Sequence, residues 1–167
     1  MLGDRNVGTA NALRTLGPLV GGLVFVADVG KGAAAVAIAR GLGPGEAGVL
    51  LGGVAAVSGN NWPVYLHFHG GRGAATSLGV LSALLPGVLL PLMSFALIPL
   101  KITRSSTVAL AFVFVPLPLF AWFVGAPGHL LWYSIELPVV VGLSHYLSGH
   151  LWPSKAAGLP KEASPRV

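Results

Sequence analysis

The 167-residue sequence contains no cysteine, which excludes a disulfide framework and thiolate metal sites. Charged residues are also scarce, at 9% of the chain, whereas a soluble domain typically carries about 25%. So few charges cannot cover the surface of a globular domain of this length. The hydrophobic class makes up 54% of the residues, and the mean hydropathy is +0.79. The composition therefore predicts that lipid, rather than water, is the main solvent of this protein.

The ten lysines and arginines outnumber the five acidic residues and give the chain a net charge of +5. A basic balance can indicate nucleic acid binding, but here the basic residues cluster at the ends of apolar segments. Positive charge at such positions is retained on the cytoplasmic side of a membrane. We therefore expect a multi-pass protein of the plasma membrane, with no nucleic acid partner and no obligate protein partner.

Long apolar segments alternate with short stretches that are rich in glycine, proline and polar residues. A spanning helix takes roughly 20 residues, and each apolar segment is close to that length or longer. Pro86 and Gly87 interrupt the third segment with a strong turn signal. The sequence therefore predicts an all-α fold, a polytopic membrane helix bundle of about six helices. The apolar segments cover residues 16–39, 47–66, 74–100, 107–124 and 130–147.

The third segment is predicted to form a short helical hairpin that turns at Pro86-Gly87. A single kinked helix would scatter the basic residues over both faces of the membrane. With a turn, eight of them share one face, only Arg40 lies on the other and Lys31 lies inside a segment, as the positive-inside rule predicts. Arms of about twelve residues reach only about 18 Å, so they would be shielded by protein or stop short of the far side. The eight residues are Arg5, Arg14, Arg72, Lys101, Arg104, Lys155, Lys161 and Arg166.

The predicted organisation is a single integral membrane domain over residues 1–151 and a tail over residues 152–167. The tail contains three prolines and three basic residues, and we expect it to be flexible and cytoplasmic. The same topology places the opening polar segment, the glycine-rich loop after residue 69 and the end of the last apolar segment at one membrane surface. This convergence is the main indication of a functional site.

The loop Gly70-Gly71-Arg72-Gly73 has the composition of an anion site. Glycines allow successive backbone N–H groups to point into one concavity. A helix that starts at Ala74 would direct its positive end to the same place, and the guanidinium of Arg72 can hold phosphate oxygens. The alternative is a flexible turn that carries a positive-inside arginine.

The opening segment supplies a second group of candidates. If residues 11–14 begin a helix, Asn11 and Arg14 lie about one turn apart and face the same way. Together with Asn6, they could bind a polyol and a phosphate. The alternative is an exposed polar N-terminus without a binding role.

Three acidic or basic residues lie within apolar segments, where charge is costly. Asp28 and Lys31 are three residues apart, so an intrahelical ion pair explains both. Glu136 has no partner nearby in the sequence and is assigned no role. The spacing of the five histidines does not indicate a metal site.

Three stretches resemble the bacterial acyl-phosphate:glycerol-3-phosphate acyltransferase family. The first is Asn6-Val7-Gly8 with Asn11 and Arg14, and the second is Asp28-Val29-Gly30-Lys31-Gly32. The third runs from Gly59-Asn60-Asn61-Trp62-Pro63 through Phe68-His69-Gly70-Gly71-Arg72-Gly73 to Gly79, and it is long and specific. The order and spacing of these motifs agree with the family over roughly residues 3–110.

The resemblance implies an integral membrane enzyme with seven helices and a short helix after the glycine loop. Its reaction would transfer an acyl group from acyl-phosphate to the sn-1 hydroxyl of glycerol 3-phosphate, giving lysophosphatidic acid, without a cofactor. Arg14 and Arg72 would be catalytic. The resemblance further implies that substrate is bound by Asn6, Asn11, Gly70, Gly71, Gly73, Thr76, His145 and Ser148.

The sequence departs from the family pattern at several motif positions. Asp4 replaces a serine, Ala10 a threonine, Asn60 a histidine, Arg72 a lysine and Ser148 an asparagine. The chain also begins inside the first motif, so the helix that precedes this motif in the family is expected to be missing from the sequence. Two alternatives to the enzyme follow: a non-catalytic family member that binds a phosphate ligand, and a small transporter or channel subunit with intramembrane charges.

Overall fold

The computed structural model describes residues 8–43, 45–64 and 70–151, with side chains as far as Leu147. Over these residues the chain forms eight α-helices and thus confirms the predicted all-α bundle. The tail predicted for residues 152–167 lies outside the described residues. The helices are α1 (Thr9–Leu16), α2 (Pro18–Leu42), α3 (Gly45–Asn61), α4 (Ala74–Leu84), α5 (Pro86–Thr103), α6 (Ser106–Phe114), α7 (Leu117–Phe123) and α8 (Gly128–Leu151).

Four stretches of the described chain are long and apolar enough to cross a membrane. They are Pro18–Leu42, Pro86–Thr103, Ser106–Phe123 and Gly128–Leu147. The third combines α6 and α7, which are separated by a turn at Val115 and Pro116. Large apolar side chains cover the outside of the bundle; Phe123, for example, is 82% exposed. An exterior of this kind matches a lipid environment, because apolar patches of such extent are rare on monomeric soluble proteins.

The predicted break at Pro86-Gly87 is confirmed. Helix α4 ends at Leu84, and Pro86 opens α5, where its missing N–H costs no hydrogen bond. The arms differ in length from the prediction, because α4 has 11 residues and α5 has 18. Helix α5 runs on through Lys101 to Thr103, so the polar stretch between the predicted segments 74–100 and 107–124 shrinks to Arg104 and Ser105.

Helices α1 and α2 form a bend that the sequence analysis did not place. The predicted first segment began at residue 16, but Gly17 interrupts it with a φ of +88° and Pro18 starts the long helix. Helix α1 folds back on α2, and the side chain of Leu13 occupies the space where Gly21 lacks a Cβ. The start of the described chain is thereby held against α2.

Helix α4 lies at the centre of the bundle, in contact with α2, α3, α5 and α8. Its residues from Thr76 to Leu81 are all buried. The closest approach is to α2, where a Cβ on Gly32 would overlap the carbonyl oxygen of Thr76 and a Cβ on Gly79 would overlap that of Val29. Small residues permit such backbone contact between membrane helices. This contact fixes the start of α4, and with it the glycine loop.

Candidate active site

The glycine loop is attached to the end of α3 by two backbone hydrogen bonds. Gly70 N–H donates to the carbonyl oxygen of Asn61 at 3.2 Å, and Gly71 N–H donates to that of Asn60 at 2.9 Å. These carbonyls belong to the last turn of α3, where no helical donor is available. The prediction that successive loop N–H groups face one concavity is therefore wrong for Gly70 and Gly71. Their N–H groups are used within the protein.

The donors that remain belong to the first turn of α4. The first bond of this helix joins Ser77 N–H to the carbonyl oxygen of Gly73 at 2.8 Å. The N–H groups of Ala74, Ala75 and Thr76 precede it and have no partner within the helix. Gly73 provides no side-chain cap. The positive end of α4 is thus available to an anion.

Gly73 is needed for both its backbone conformation and its size. Its φ is +71°, in the left-handed region that favours glycine. A Cβ at this position would also overlap the side-chain oxygen of Asn61, which is 3% exposed. Among the described residues, neither amide atom of Asn61 has a hydrogen-bond partner. A buried amide usually has a hydrogen-bond partner. The donor and acceptor atoms of the Asn61 amide are therefore available beneath the loop.

A cavity of about 780 Å³ opens beside the start of α4. Arg72, Gly73, Ala74 and Ala75 line it from the loop and the first turn, and His145 lines it from α8. The guanidinium of Arg72 lies within electrostatic range of the His145 imidazole. The other polar residues at the cavity wall are Thr9, Asp28, Asn60, Ser106 and Thr107.

The rest of the cavity wall is apolar and is provided by six helices, α1, α2, α4, α5, α6 and α8. Leucine, valine, alanine, phenylalanine and methionine side chains predominate, and three glycines make room between them. A cavity that joins a cationic end to a long apolar wall fits an amphiphile with an anionic head group. The apolar side chains include Leu13, Phe25, Leu78, Met93, Ala96, Leu97, Leu100, Leu110, Val113, Phe114, Val139 and Val141, and the glycines are Gly21, Gly22 and Gly142.

The structure brings together only part of the predicted site. Arg72, Gly73 and His145 line the cavity, whereas Asn11 and Arg14 are not among its described lining residues. Asn11 is buried, and Arg14 is exposed with its Nε donating to the carbonyl oxygen of Ala10 at 3.2 Å. Asn6 lies outside the described residues, as does the side chain of Ser148. The roles of all these residues stay predictions.

Thr76 is placed away from the cavity. Its side chain is fully buried, and its carbonyl oxygen abuts Gly32 on α2. In the described part of the chain, the hydroxyls of Thr76 and Ser77 make no hydrogen bond. The structure thus shows no direct path from Thr76 to a molecule in the cavity, and its predicted substrate contact gains no support from the geometry.

The predicted ion pair in α2 is confirmed. Lys31 Nζ donates to Asp28 Oδ1 at 2.8 Å. The Asp28 side chain is only 9% exposed and that of Lys31 is 58% exposed, so the pair connects the cavity wall to the helix surface. Sequence reasoning did not place Asp28 or Asn60 at the site, although both stand in motifs that it singled out.

Removing the cation of this pair is expected to destabilise the fold. In Lys31→Ala, the Asp28 carboxylate stays buried without its partner, and we expect the free energy of unfolding to fall by about 1–2 kcal/mol, less than for a fully buried pair. Unfolding in mixed detergent measures the change. The double variant Asp28→Asn/Lys31→Ala should recover part of the loss. Identical unfolding of Lys31→Ala and the unmodified protein would contradict this account.

Comparison with known proteins identifies the family. The family model described as glycerol-3-phosphate acyltransferase matches residues 1–153. The chain belongs to this family. Family membership confirms the resemblance inferred from the motifs, and with it the predicted class of integral membrane acyltransferase.

Individual relatives agree with the family assignment. The chain is 45% identical over 149 residues to "Glycerol-3-phosphate acyltransferase 4" of Dehalococcoides mccartyi, an alignment that covers 88% of this chain and 80% of the relative. It is 38% identical over 144 residues to "Glycerol-3-phosphate acyltransferase 1" of Moorella thermoacetica, with 86% and 73% covered.

Two crystal structures share the fold. Both are of PlsY (YgiH), an integral membrane glycerol 3-phosphate acyltransferase, and both are 32% identical to this chain. The glycerol 3-phosphate form gives a TM-score of 0.76, with 84% of this chain and 71% of the other covered. The lysophosphatidic acid form gives 0.75, with 84% and 72% covered. The bundle described above is thus the fold of an acyltransferase of this family.

Proposed function

We propose that this chain transfers an acyl group from acyl-phosphate to the sn-1 hydroxyl of glycerol 3-phosphate and releases lysophosphatidic acid. The hydroxyl oxygen forms the new ester bond with the acyl carbon, and the bond from that carbon to the phosphate oxygen breaks. The hydroxyl proton is taken up by the inorganic phosphate that leaves. Acyl-phosphate is already activated, so the protein needs mainly to position both substrates and to stabilise developing charge.

The observation that carries this proposal is the two-part cavity. Its polar end combines Arg72 with the uncapped start of α4, and both favour a phosphate group. Its apolar part accepts a hydrocarbon chain, whose burial is favourable in proportion to the area removed from water. An acyl-phosphate has both parts, because its reacting carbonyl joins the phosphate head group to the hydrocarbon chain. The related PlsY structures, in glycerol 3-phosphate and lysophosphatidic acid forms, support the same substrate and product here.

We assign the phosphate of the acyl donor to Arg72 and the first turn of α4. Glycerol 3-phosphate is assigned to Arg14, Asn11 and Asn6, which stand in the motif that opens the chain. His145 lines the cavity from α8 and would contact the reacting groups, with Ser148 one turn further along the same helix.

We further propose that the site faces the cytoplasm. The mouth of the cavity lies at the end of the bundle where α4 and α6 begin and α5 and α8 end. Lys101 and Arg104 lie at this end together with Arg72, and Arg40 lies at the other end of α2. This distribution agrees with the positive-inside rule. Accessibility labelling of single cysteines at positions 14 and 72 would contradict the proposal if it placed them on opposite sides of the membrane.

A direct assay tests the proposed reaction. The purified chain in lipid vesicles receives acyl-phosphate and radiolabelled glycerol 3-phosphate, and labelled lysophosphatidic acid is measured. We expect product formation that depends on both substrates. Folded protein without product above background would overturn the enzyme proposal. Acyl-phosphate binding that is lost in Arg72→Ala, without product from the unmodified chain, would then identify a non-catalytic phosphate binder.

The structure weakens the main argument for the transporter alternative. It rests on the presence of Asp28, Lys31 and Glu136 within apolar segments, and Asp28 and Lys31 form a pair with each other. Glu136 is exposed and is not among the described residues that line the cavity. A flux assay in the same vesicles is the matched control, and solute flux without acyl transfer would favour the transporter.

A further inference from the structure

Two side chains that pack against the hydrophobic core line the inner end of the apolar part of the cavity. Among the lining residues of α5, Met93 lies furthest from the polar mouth, seven residues before Leu100. Phe114 on α6 lies seven residues beyond Thr107, which is at the mouth. Seven residues of helix correspond to about 10 Å. Met93 and Phe114 are both partly buried and pack against the hydrophobic core, so they form a floor that the core supports.

The side of the same cavity is open to lipid. Three of its lining residues are largely exposed: Leu97 at 61%, Val115 at 78% and Val139 at 60%. A hydrocarbon chain in the cavity would therefore meet protein at the floor and bilayer along the side. An acyl chain that is too long to fit between the polar end and the floor must bend out through this open side, or its head group must leave the polar end.

We propose that Met93 and Phe114 set the length of the acyl chain that the enzyme prefers. The inference rests on the acyl transfer proposed above. Chains that just reach the floor place their terminal carbon against protein while the phosphate stays at Arg72. Longer chains displace one end or the other. The floor therefore selects by the position of the reacting carbonyl, which moves away from the polar end when the chain is too long.

Gly142 on α8 is a second position at which the proposal can be tested. It lines the cavity one turn below His145, and a Cβ built on it meets no atom within 4 Å. Helical side chains lean toward the N-terminus of their helix, and the N-terminal part of α8 is at the floor end of the cavity. A side chain at position 142 would therefore extend over Val139 and shorten the space for a chain without disturbing the fold.

Removing side chains from the floor should favour longer chains. We would measure kcat/KM for a series of saturated acyl-phosphates of increasing length with the unmodified protein, Phe114→Ala and Met93→Ala. The optimum should move to longer chains, with relative kcat/KM rising about tenfold for a substrate with two more methylene groups, because its reacting carbonyl then stays at the polar end. Phe112→Ala is the matched control, because Phe112 lies on the same helix, is 59% exposed and is not among the cavity residues.

Filling the cavity should have the opposite effect. Gly142→Leu is expected to move the optimum to shorter chains, and Gly30→Leu is expected to leave it unchanged. Gly30 also has open space around its Cβ position but lies outside the cavity. Because Gly142→Leu adds a side chain where there is room, it keeps the test valid even if the two floor variants unfold.

The outcomes separate this inference from the proposed function. If the unmodified protein makes no lysophosphatidic acid from any acyl-phosphate, the acyltransferase proposal fails. If it is active and the optimum is the same in Phe114→Ala, Met93→Ala and Gly142→Leu, the acyltransferase stands and the floor does not select chain length. Equal shifts in Phe112→Ala and Phe114→Ala would likewise overturn the inference, since Phe112 does not face the cavity.

Discussion

Replacing Arg72 with alanine is expected to lower kcat/KM for acyl transfer by at least about a hundredfold, the usual loss when a preorganised group that stabilises developing charge is removed. Arg72 brings a fixed positive charge to the wall where α4 begins. As the bond to phosphate breaks, negative charge grows on the departing group, and the guanidinium stabilises it with two donors. The measurement is the initial rate of lysophosphatidic acid formation in vesicles over a range of acyl-phosphate concentrations.

Two further variants make this expectation specific. Arg72→Lys keeps the charge but not the planar pair of donors, so we expect an intermediate loss of about tenfold. Lys101→Ala removes an exposed cation from the end of α5 that is outside the described cavity lining, and its activity should be unchanged. A loss in Lys101→Ala as large as in Arg72→Ala would show that general surface charge, rather than contact with phosphate, is responsible.

Replacing Gly32 with valine is expected to prevent the bundle from folding correctly. A side chain there would overlap the carbonyl oxygen of Thr76, which is backbone and cannot swing away. Overpacking in a close-packed interior costs about 1–3 kcal/mol where neighbours can adjust, and more is expected here because two helix backbones must separate. Since α4 carries the start of the site, acyl transfer should be lost together with stability. Thermal unfolding in detergent and the yield of folded protein measure the effect.

The control for this variant lies on the same helix. Gly30→Val introduces the same side chain two residues away, where no atom lies within 4 Å of the new Cβ. It should unfold at the temperature of the unmodified protein and keep its activity. Equal stability of Gly32→Val and Gly30→Val would show that α2 and α4 are not in backbone contact in the membrane.

The sequence predicts the helical framework of this protein well. Apolar length and proline placement are local properties, so the segments and the break at Pro86 can be inferred without knowledge of their neighbours. The bend at Gly17 was missed, although Gly17-Pro18 is itself a turn signal, because the surrounding residues continue the apolar run. The ends of α5 were misjudged for a related reason: Lys101 is polar but lies in the helix, since a cation is favourable at a helix C-terminus.

The site was harder to predict, because its geometry depends on contacts between distant segments. Glycine content alone does not tell which loop N–H groups stay available, and the pairing of Gly70 and Gly71 with the end of α3 is a tertiary feature. Thr76 follows the loop closely, yet helical rotation turns it into the interface with α2. Only Arg72, Gly73 and His145 of the predicted residues line the cavity in the described structure. Its apolar wall comes from residues that any buried helix would contain, so no local pattern marks them.

The two hydrogen bonds between the loop and α3 have a consequence for how ligands are received. Because the backbone around Gly70 and Gly71 is already anchored, an arriving phosphate does not have to organise the segment that carries Arg72. The entropy of ordering has been lost during folding rather than at each encounter. Loss of these two hydrogen bonds would leave every side chain of the site unchanged. Phosphate binding would still be weaker, because each binding event would then have to order the loop.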